Sequence, residues 1–184
     1  MKLPICSFDA KIGVLCPKCE ARLRSGEISR VDVDVSFMLA KLASSLPFLA
    51  NITLKKAYEV DGDIVLVLGR GEAFPLLSNR ESMRKLQDSL GRKVWITEGD
   101  SDDRKFLEGL LYPGRILTLN TVWLPDGSKQ MKAIIPGRSR RFPVDIEKVK
   151  KIVRETRGIE LVIKFEGDER FRKKPLLRRY KRRR

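Results

Sequence analysis

All three cysteines of the chain fall in one short stretch, ICSFDAKIGVLCPKCE, residues 5–20. Cys16 and Cys19 flank Pro17-Lys18, a spacing at which two thiolates reach one metal ion across a tight turn. Cys6 lies upstream, and Asp9 stands where a second CxxC would put its second cysteine. The pattern is C-x2-D-x6-C-x2-C, with a carboxylate replacing one thiolate. Zn2+ accepts both ligand types in tetrahedral geometry, so Cys6, Asp9, Cys16 and Cys19 form a candidate structural zinc set. A segment this short builds little core, and metal binding would supply the missing folding free energy. Plain reduced thiols, a disulfide and a redox CxxC pair fit the same cysteines. No β-α-β pattern of a redox fold surrounds them.

The second group of chemically distinctive residues is basic. Lys and Arg number 39 against 24 Asp and Glu, a net charge of +15. The excess is local. Residues 170–184 hold ten basic side chains and no acid, leaving 29 basic against 24 acidic residues before them. Arg170, Arg172, Lys173, Lys174, Arg178, Arg179, Lys181, Arg182, Arg183 and Arg184 point to a polyanion, with Tyr180 available to stack on a base. A smaller basic stretch, PGRSRRFP (residues 136–143), carries Arg138, Arg140 and Arg141 without an acid. The chain has no histidine, so a neutral-pH imidazole base is excluded. GxxxxGK[ST] and GxSxG are absent, and no catalytic role is expected. The longest apolar run, residues 64–68, is far short of the ~20 residues of a membrane span. The N-terminus lacks a signal-peptide core, and a cytoplasmic protein without a membrane partner is expected.

The elements that must position these residues occur twice. LGRGEAFP (68–75) matches PGRSRRFP at an offset of 68, pairing Gly69-Arg70 with Gly137-Arg138 and Phe74-Pro75 with Phe142-Pro143. Glu98-Gly99-Asp100 pairs with Glu166-Gly167-Asp168 at the same offset. Gly91 and Gly158 match with one residue of slip, each where a helix needs a left-handed C-cap.

In the first copy Val35, Met38, Leu39, Leu42 and Leu46 mark a helix ended by Pro47. Strands at 52–60 and 63–69 flank an Asp61-Gly62 hairpin turn. Ser78 and Glu81 form a capping box for a helix burying Met83, Leu86 and Leu90, and a strand follows at 93–97. In the second copy Phe106, Leu107, Leu110 and Leu111 mark the helix. Strands at 115–124 and 128–135 flank Asp126-Gly127, and a helix burying Ile146, Val149, Ile152 and Val153 leads to a strand at 159–165. The acidic run at 98–103 reads as a linker and helix start, capped by Ser101 or Asp100. Trp95 and Trp123 fall on strands, as core residues. Phe74 and Phe142 are expected to pack beneath their turns.

Each copy thus reads α-β-β-α-β, an α+β layer of three strands with helices on one face. The domains expected are a Cys-rich segment at 1–32, repeats at 33–100 and 101–168, and a basic tail at 169–184. With its glycine-containing loop after the second strand, this order resembles a KH domain of the NusA-like, prokaryotic type. Two in tandem are similar to the paired KH module of archaeal NusA-like proteins, over roughly residues 33–167. The resemblance implies RNA binding, in which a GxxG loop lets the backbone approach sugar-phosphates and a groove beside it takes the bases. Here the loops read Gly69-Arg70-Gly71-Glu72 and Gly137-Arg138-Ser139-Arg140, so side-chain forks from Arg70, Arg138, Arg140 and Arg141 replace close backbone approach. The residues before the repeats look like a zinc knuckle. A non-catalytic RNA-binding protein follows, docking on rRNA beside ribosomal proteins. The alternatives are a NusA-like transcription factor meeting nascent RNA and RNA polymerase, and a cysteine redox protein.

Overall fold

The computed structural model describes residues 1–99 and 101–167. Among these the protein is α+β, with seven α-helices and two three-stranded mixed sheets. Its contacts divide it into two compact units, Met1–Leu110 and the chain from Leu111 on. The sequence reading drew that boundary at 100/101. No helix among the described residues is long and apolar enough to cross a membrane.

The first unit begins with two short helices, α1 (Ser7–Ile12) and α2 (Pro17–Arg24). They lead to α3 (Arg30–Leu42), β1 (Leu54–Val60) and β2 (Asp63–Leu68). Next come α4 (Ala73–Ser78), α5 (Arg80–Leu90), β3 (Val94–Glu98) and α6 (Asp103–Leu111). The expected hairpin forms. Asp61 (φ 49°) and Gly62 (φ 81°) both adopt positive φ, the geometry whose twist matches flanking antiparallel strands. β2 is central, antiparallel to β1 and parallel to β3, and all six of its residues are buried.

α3 holds the unit together because two of its faces are apolar. Val35 and Leu39 join the sheet core with Leu54, Leu66, Leu86 and Ile96. Val33, Phe37 and Ala40 face a second cluster made with Ile5, Ala10, Cys19 and Ile28. The Cys-rich segment therefore shares a core with α3. Asp32 secures the helix start: its Oδ2 accepts from the Ser29 backbone N–H (2.8 Å) and hydroxyl (2.9 Å). Its Oδ1 accepts from the Ala57 N–H on β1 (2.5 Å).

The second unit contains β4 (Thr118–Trp123), β5 (Lys129–Ile135), α7 (Ile146–Arg157) and β6 (Glu160–Phe165). β5 is central, antiparallel to β4 and parallel to β6, the layout of the first sheet. Met131, Ala133 and Ile135 of β5 are buried, as are Val149, Ile152 and Val153 of α7. Asp145 caps α7 by accepting from Glu147 N and Lys148 N. The expected glycine C-caps occur on α5 and α7, Gly91 at φ 63° and Gly158 at φ 64°.

Several expectations are corrected. α3 ends at Leu42 instead of running to Pro47, and Met38 on it is 41% exposed because it lies between the two apolar faces. The capping box at Ser78 does not form: Ser78 closes α4, and Asn79 caps α5 by accepting from Ser82 N (3.0 Å). α6 is capped by Asp102, whose Oδ1 accepts from Lys105 N (3.0 Å), while Ser101 donates back to Glu98 O. Asp100 lies outside the described residues. Helices on one face alone do not describe the first sheet. Thr97 on β3 donates to Phe106 O of α6 (2.7 Å), and a Cβ on Gly109 would sit 2.8 Å from Ile96 O. Phe74 is 66% exposed and Trp123 is 71% exposed, so neither is a core residue.

Replacing Asp32 by Ala removes a cap and leaves the Ala57 N–H buried without its acceptor, a loss of about 2–4 kcal/mol. Urea unfolding of the D32A variant should show the midpoint fall with the m-value kept.

Candidate functional site

The four residues singled out in the N-terminal stretch come together. One ligand atom from each of Cys6, Asp9, Cys16 and Cys19 lies within 4.8 Å of the others, and the set could hold a metal ion. A tetrahedron with metal–sulfur bonds of about 2.3 Å has edges of about 3.8 Å, so the groups stand close to ligand distance. Local structure explains the convergence. Cys6 and Cys16 are the N-cap residues of α1 and α2, and Asp9 and Cys19 lie three residues further, on the first turn of the same helices. Each x2 spacing therefore spans one helix start, where unpaired backbone N–H groups favour anionic ligands.

Asp9 is fully buried. Its Oδ2 accepts from the Cys16 N–H (2.9 Å), while Oδ1 has no hydrogen-bond partner. An unpartnered carboxylate oxygen beside three sulfurs is what a cation would satisfy. The Cys16 N–H and the Cys6 thiol hold the Asp9 carboxyl well below the usual carboxylate range. Burial pushes the Cys19 thiol up to about 12, and the Asp9 hydrogen bond raises Cys6. Metal-free, the Cys6 and Cys19 thiols are held toward their protonated forms beside the Asp9 carboxylate, and a cation must displace those protons. Backbone donors are already aimed at sulfur: Cys6 N–H lies 3.5 Å from Cys19 Sγ, and Asp9 N–H 3.5 Å from Cys6 Sγ.

The two Gly-Arg turns differ. In the first, Arg70 is exposed, and Glu72 points inward to accept from Thr53 N (2.6 Å) and Gly69 N (3.3 Å). Glu72 is thus a brace between β1 and the end of β2, a role its spacing did not reveal. In the second, Gly137 (φ 90°) turns the chain into a 3-10 turn, Ser139–Arg141. Arg138, Arg140 and Arg141 are all exposed there. Phe142 anchors the turn, packing edge-to-face on Phe165 with ring centroids 5.4 Å apart. Arg140 and Arg141 form no ion pair among the described residues, whereas Arg22, Arg92 and Arg104 pair with Glu27, Glu59 and Glu108. The run from Arg170 and Arg172 to Arg184, Tyr180 included, lies outside the described residues.

Two further features had no sequence signal. Phe8, Ile12 and Val14 stand exposed beside the cysteine cluster at 68%, 57% and 66%. A mostly apolar cleft of about 260 Å³ opens in the first unit, lined by Phe48, Asn51, Leu76, Asn79 and Ser82 among others. It lies at the α4–α5 junction, which is visible only once α4 is known to be a separate helix.

No family model and no curated protein matches the chain. A solved structure described as "Crystal structure of APE1850" aligns with a TM-score of 0.48 and 17% identity, covering 69% of this chain and 95% of that one.

Titration of the metal-free protein with Co2+ should give thiolate-to-metal charge-transfer absorption saturating near one equivalent. Cys19→Ser or Asp9→Ala should weaken binding by more than the roughly tenfold caused by losing an outer-shell partner. Acidification should release the ion, because the thiolates must be reprotonated. Unchanged absorption in both variants would dissociate the cluster from metal binding.

Proposed function

We propose that the chain is a non-catalytic RNA-binding protein made of two KH-type units of the NusA-like kind, with a structural zinc ion in its N-terminal segment. The observation that carries the RNA reading is the turn at 137–141. Three exposed arginines follow a left-handed glycine, and two of them lack any acidic partner among the described residues. Arg22, Arg92 and Arg104 are matched to acids, whereas Arg140 and Arg141 keep their positive charge available for phosphate. The element order supports the KH reading: α6-β4-β5-α7-β6 follows α-β-β-α-β, and α3-β1-β2-α4-α5-β3 follows it with one extra short helix. The cleft at the α4–α5 junction supports it as well, being mostly apolar with Asn51, Asn79 and Ser82 in its lining, a mixture that suits an unstacked base.

Zinc is favoured for the metal because three sulfurs and one carboxylate oxygen from helix starts make a closed, redox-inert tetrahedral set. The ion would be structural, since all four positions are filled by the chain. A redox role for Cys16 and Cys19 is less well supported: Cys19 is buried and its thiol is driven toward the protonated, unreactive form.

The RNA is rRNA, docked stably beside ribosomal proteins, a reading favoured by the ten basic residues of 170–184. A second reading, a nascent transcript met beside RNA polymerase, is the role the NusA-like resemblance suggests. Lysate resolved on a density gradient at low and high salt separates the two. Co-migration with a ribosomal subunit supports the first, co-migration with polymerase the second, and RNase-insensitive migration apart from both removes the RNA reading. With purified protein, the pair Arg140→Glu and Arg141→Glu should weaken binding to single-stranded RNA. It should also reduce the slope of log K against log salt by about one to two. An equal salt slope in this variant and the wild type would remove the turn from the interface.

A further inference from the structure

The edges of the two sheets are treated in opposite ways. In the first sheet the edge strand β1 carries Lys55, Lys56 and Glu59 and is broken by a bulge between Leu54 and Lys56. Its outward backbone groups are taken by the chain itself. Lys2 N donates to Ile52 O (2.9 Å), Leu54 N donates to Lys2 O (2.9 Å), and Ala57 N donates to Asp32 (2.5 Å). Charge, bulge and cover are the usual devices that prevent an edge from pairing with another strand.

Among the described residues the second sheet has none of these along β4. The strand reads Thr-Leu-Asn-Thr-Val-Trp, with no charge, no proline and no glycine. Five of its six residues are exposed, including Val122 at 47% and Trp123 at 71%. Leu124 N donates to Ser128 O (2.9 Å), which sets the phase of the ladder with β5. Alternation then directs the N–H and C=O of Leu119, Thr121 and Trp123 away from β5. These groups find no acceptor or donor among the described residues. In a chain of net charge +15, a charge-free edge is also the surface where a second copy meets least repulsion.

We propose that β4 is a self-association edge, pairing antiparallel with β4 of a second copy about a two-fold axis through Thr121. The phase leaves this register hydrogen-bonded: Thr121 exchanges bonds with its own counterpart, and Leu119 with Trp123 of the other copy, about six bonds in all. The side chains agree with it. Each exposed Trp123 lies opposite a Leu119, and each Val122 opposite an Asn120, so both apolar side chains lose water and no like charges meet. The two three-stranded sheets become one six-stranded sheet, and the interface is isologous and closed.

The test uses the full chain freed of RNA by nuclease and high salt. Sedimentation from about 1 μM to about 1 mM should show a monomer–dimer equilibrium. Dimerisation should strengthen with salt, opposite to RNA binding, because screening reduces repulsion between two basic chains. The chain has two tryptophans, and Trp95 is already buried, so the concentration-dependent blue shift and loss of iodide quenching report Trp123. Thr121→Pro removes an outward N–H at an edge position that tolerates proline, and should weaken the dimer at least about tenfold. Thr121→Lys and Thr121→Glu place like charges across the axis. Each alone should be monomeric, and mixing them should restore dimers. A wild type that stays monomeric with Trp123 fully quenchable overturns the proposal. So does a dimer indifferent to all three variants, or protection of Trp123 that appears only with RNA or a different protein.

Discussion

The first unit depends on α3 being held at a fixed point against β1, and the buried carboxylate of Asp32 does this. One oxygen closes the capping box with Ser29, and the other receives the Ala57 N–H. A buried carboxylate is costly unless its lone pairs are filled, and here the filling groups come from two different elements. The helix therefore cannot slide along the sheet without exposing an unpaired charge. Once it is fixed, its two apolar faces become useful. Val35 and Leu39 close the sheet core, and Val33, Phe37 and Ala40 receive Ile5, Ala10 and Cys19. The cysteine cluster is thus positioned by α3 as well as by its own ligands. Asp32 also occupies the edge of β1, so the same contact that orients the helix closes the strand to outside pairing.

The choice of Asp at position 9 has a physical reason. Its carboxylate offers two oxygens, and the structure uses them differently. Oδ2 accepts the N–H of Cys16, the residue that caps α2, and Oδ1 faces the sulfurs unpartnered. A thiolate has a single sulfur and could not serve both so well. The carboxylate can link the start of α2 to the cluster while leaving a ligand atom free, which ties helix geometry to metal binding. This also accounts for the two x2 spacings being alike though their residues differ: both follow from N-cap and first-turn positions of short helices.

Features set by local chemistry were legible in the sequence. Asp61-Gly62, Gly91 and Gly158 required particular backbone angles, and the cysteine spacing required two ligands within reach of one ion, though the helix starts that place them were not read. The periodic apolar residues of α6 and α7 located those helices. Features set by non-local contact were not legible. The second apolar face of α3 is invisible without knowing that residues 5–28 fold back onto it, and the reading that assigned one face placed exposed Met38 inside. Trp123 looked like a core residue because its strand has the right composition. Only the sheet order shows that β4 is an edge whose end is left bare. Glu72 stood in the first loop with no role attached, and its bonds to Thr53 and Gly69 are made across 19 and 3 residues.

The repeated frame separates what a duplicated unit must keep from what it can change. Both units keep a central strand parallel to the last, a glycine C-cap before that strand, and a glycine just beyond it. Gly99 N donates to Leu68 O (2.9 Å), and Gly167 N donates to Gly137 O (2.8 Å). In each case a Cβ would crowd the neighbouring chain, against Val67 at 2.8 Å or Gly137 O at 2.4 Å, so glycine is required for the strand ends to meet. The surfaces around this frame are under no such demand, and they diverge in complementary ways. The first unit turns Glu72 inward, covers its edge with the N-terminus, and builds a carboxylate-thiol cluster on its helix. The second leaves its turn arginines and its edge strand open to solvent. Glu72 points inward and braces a strand from the first turn, while the second turn holds no acid and exposes Arg138, Arg140 and Arg141, so the same frame carries opposite side-chain chemistry in its two copies.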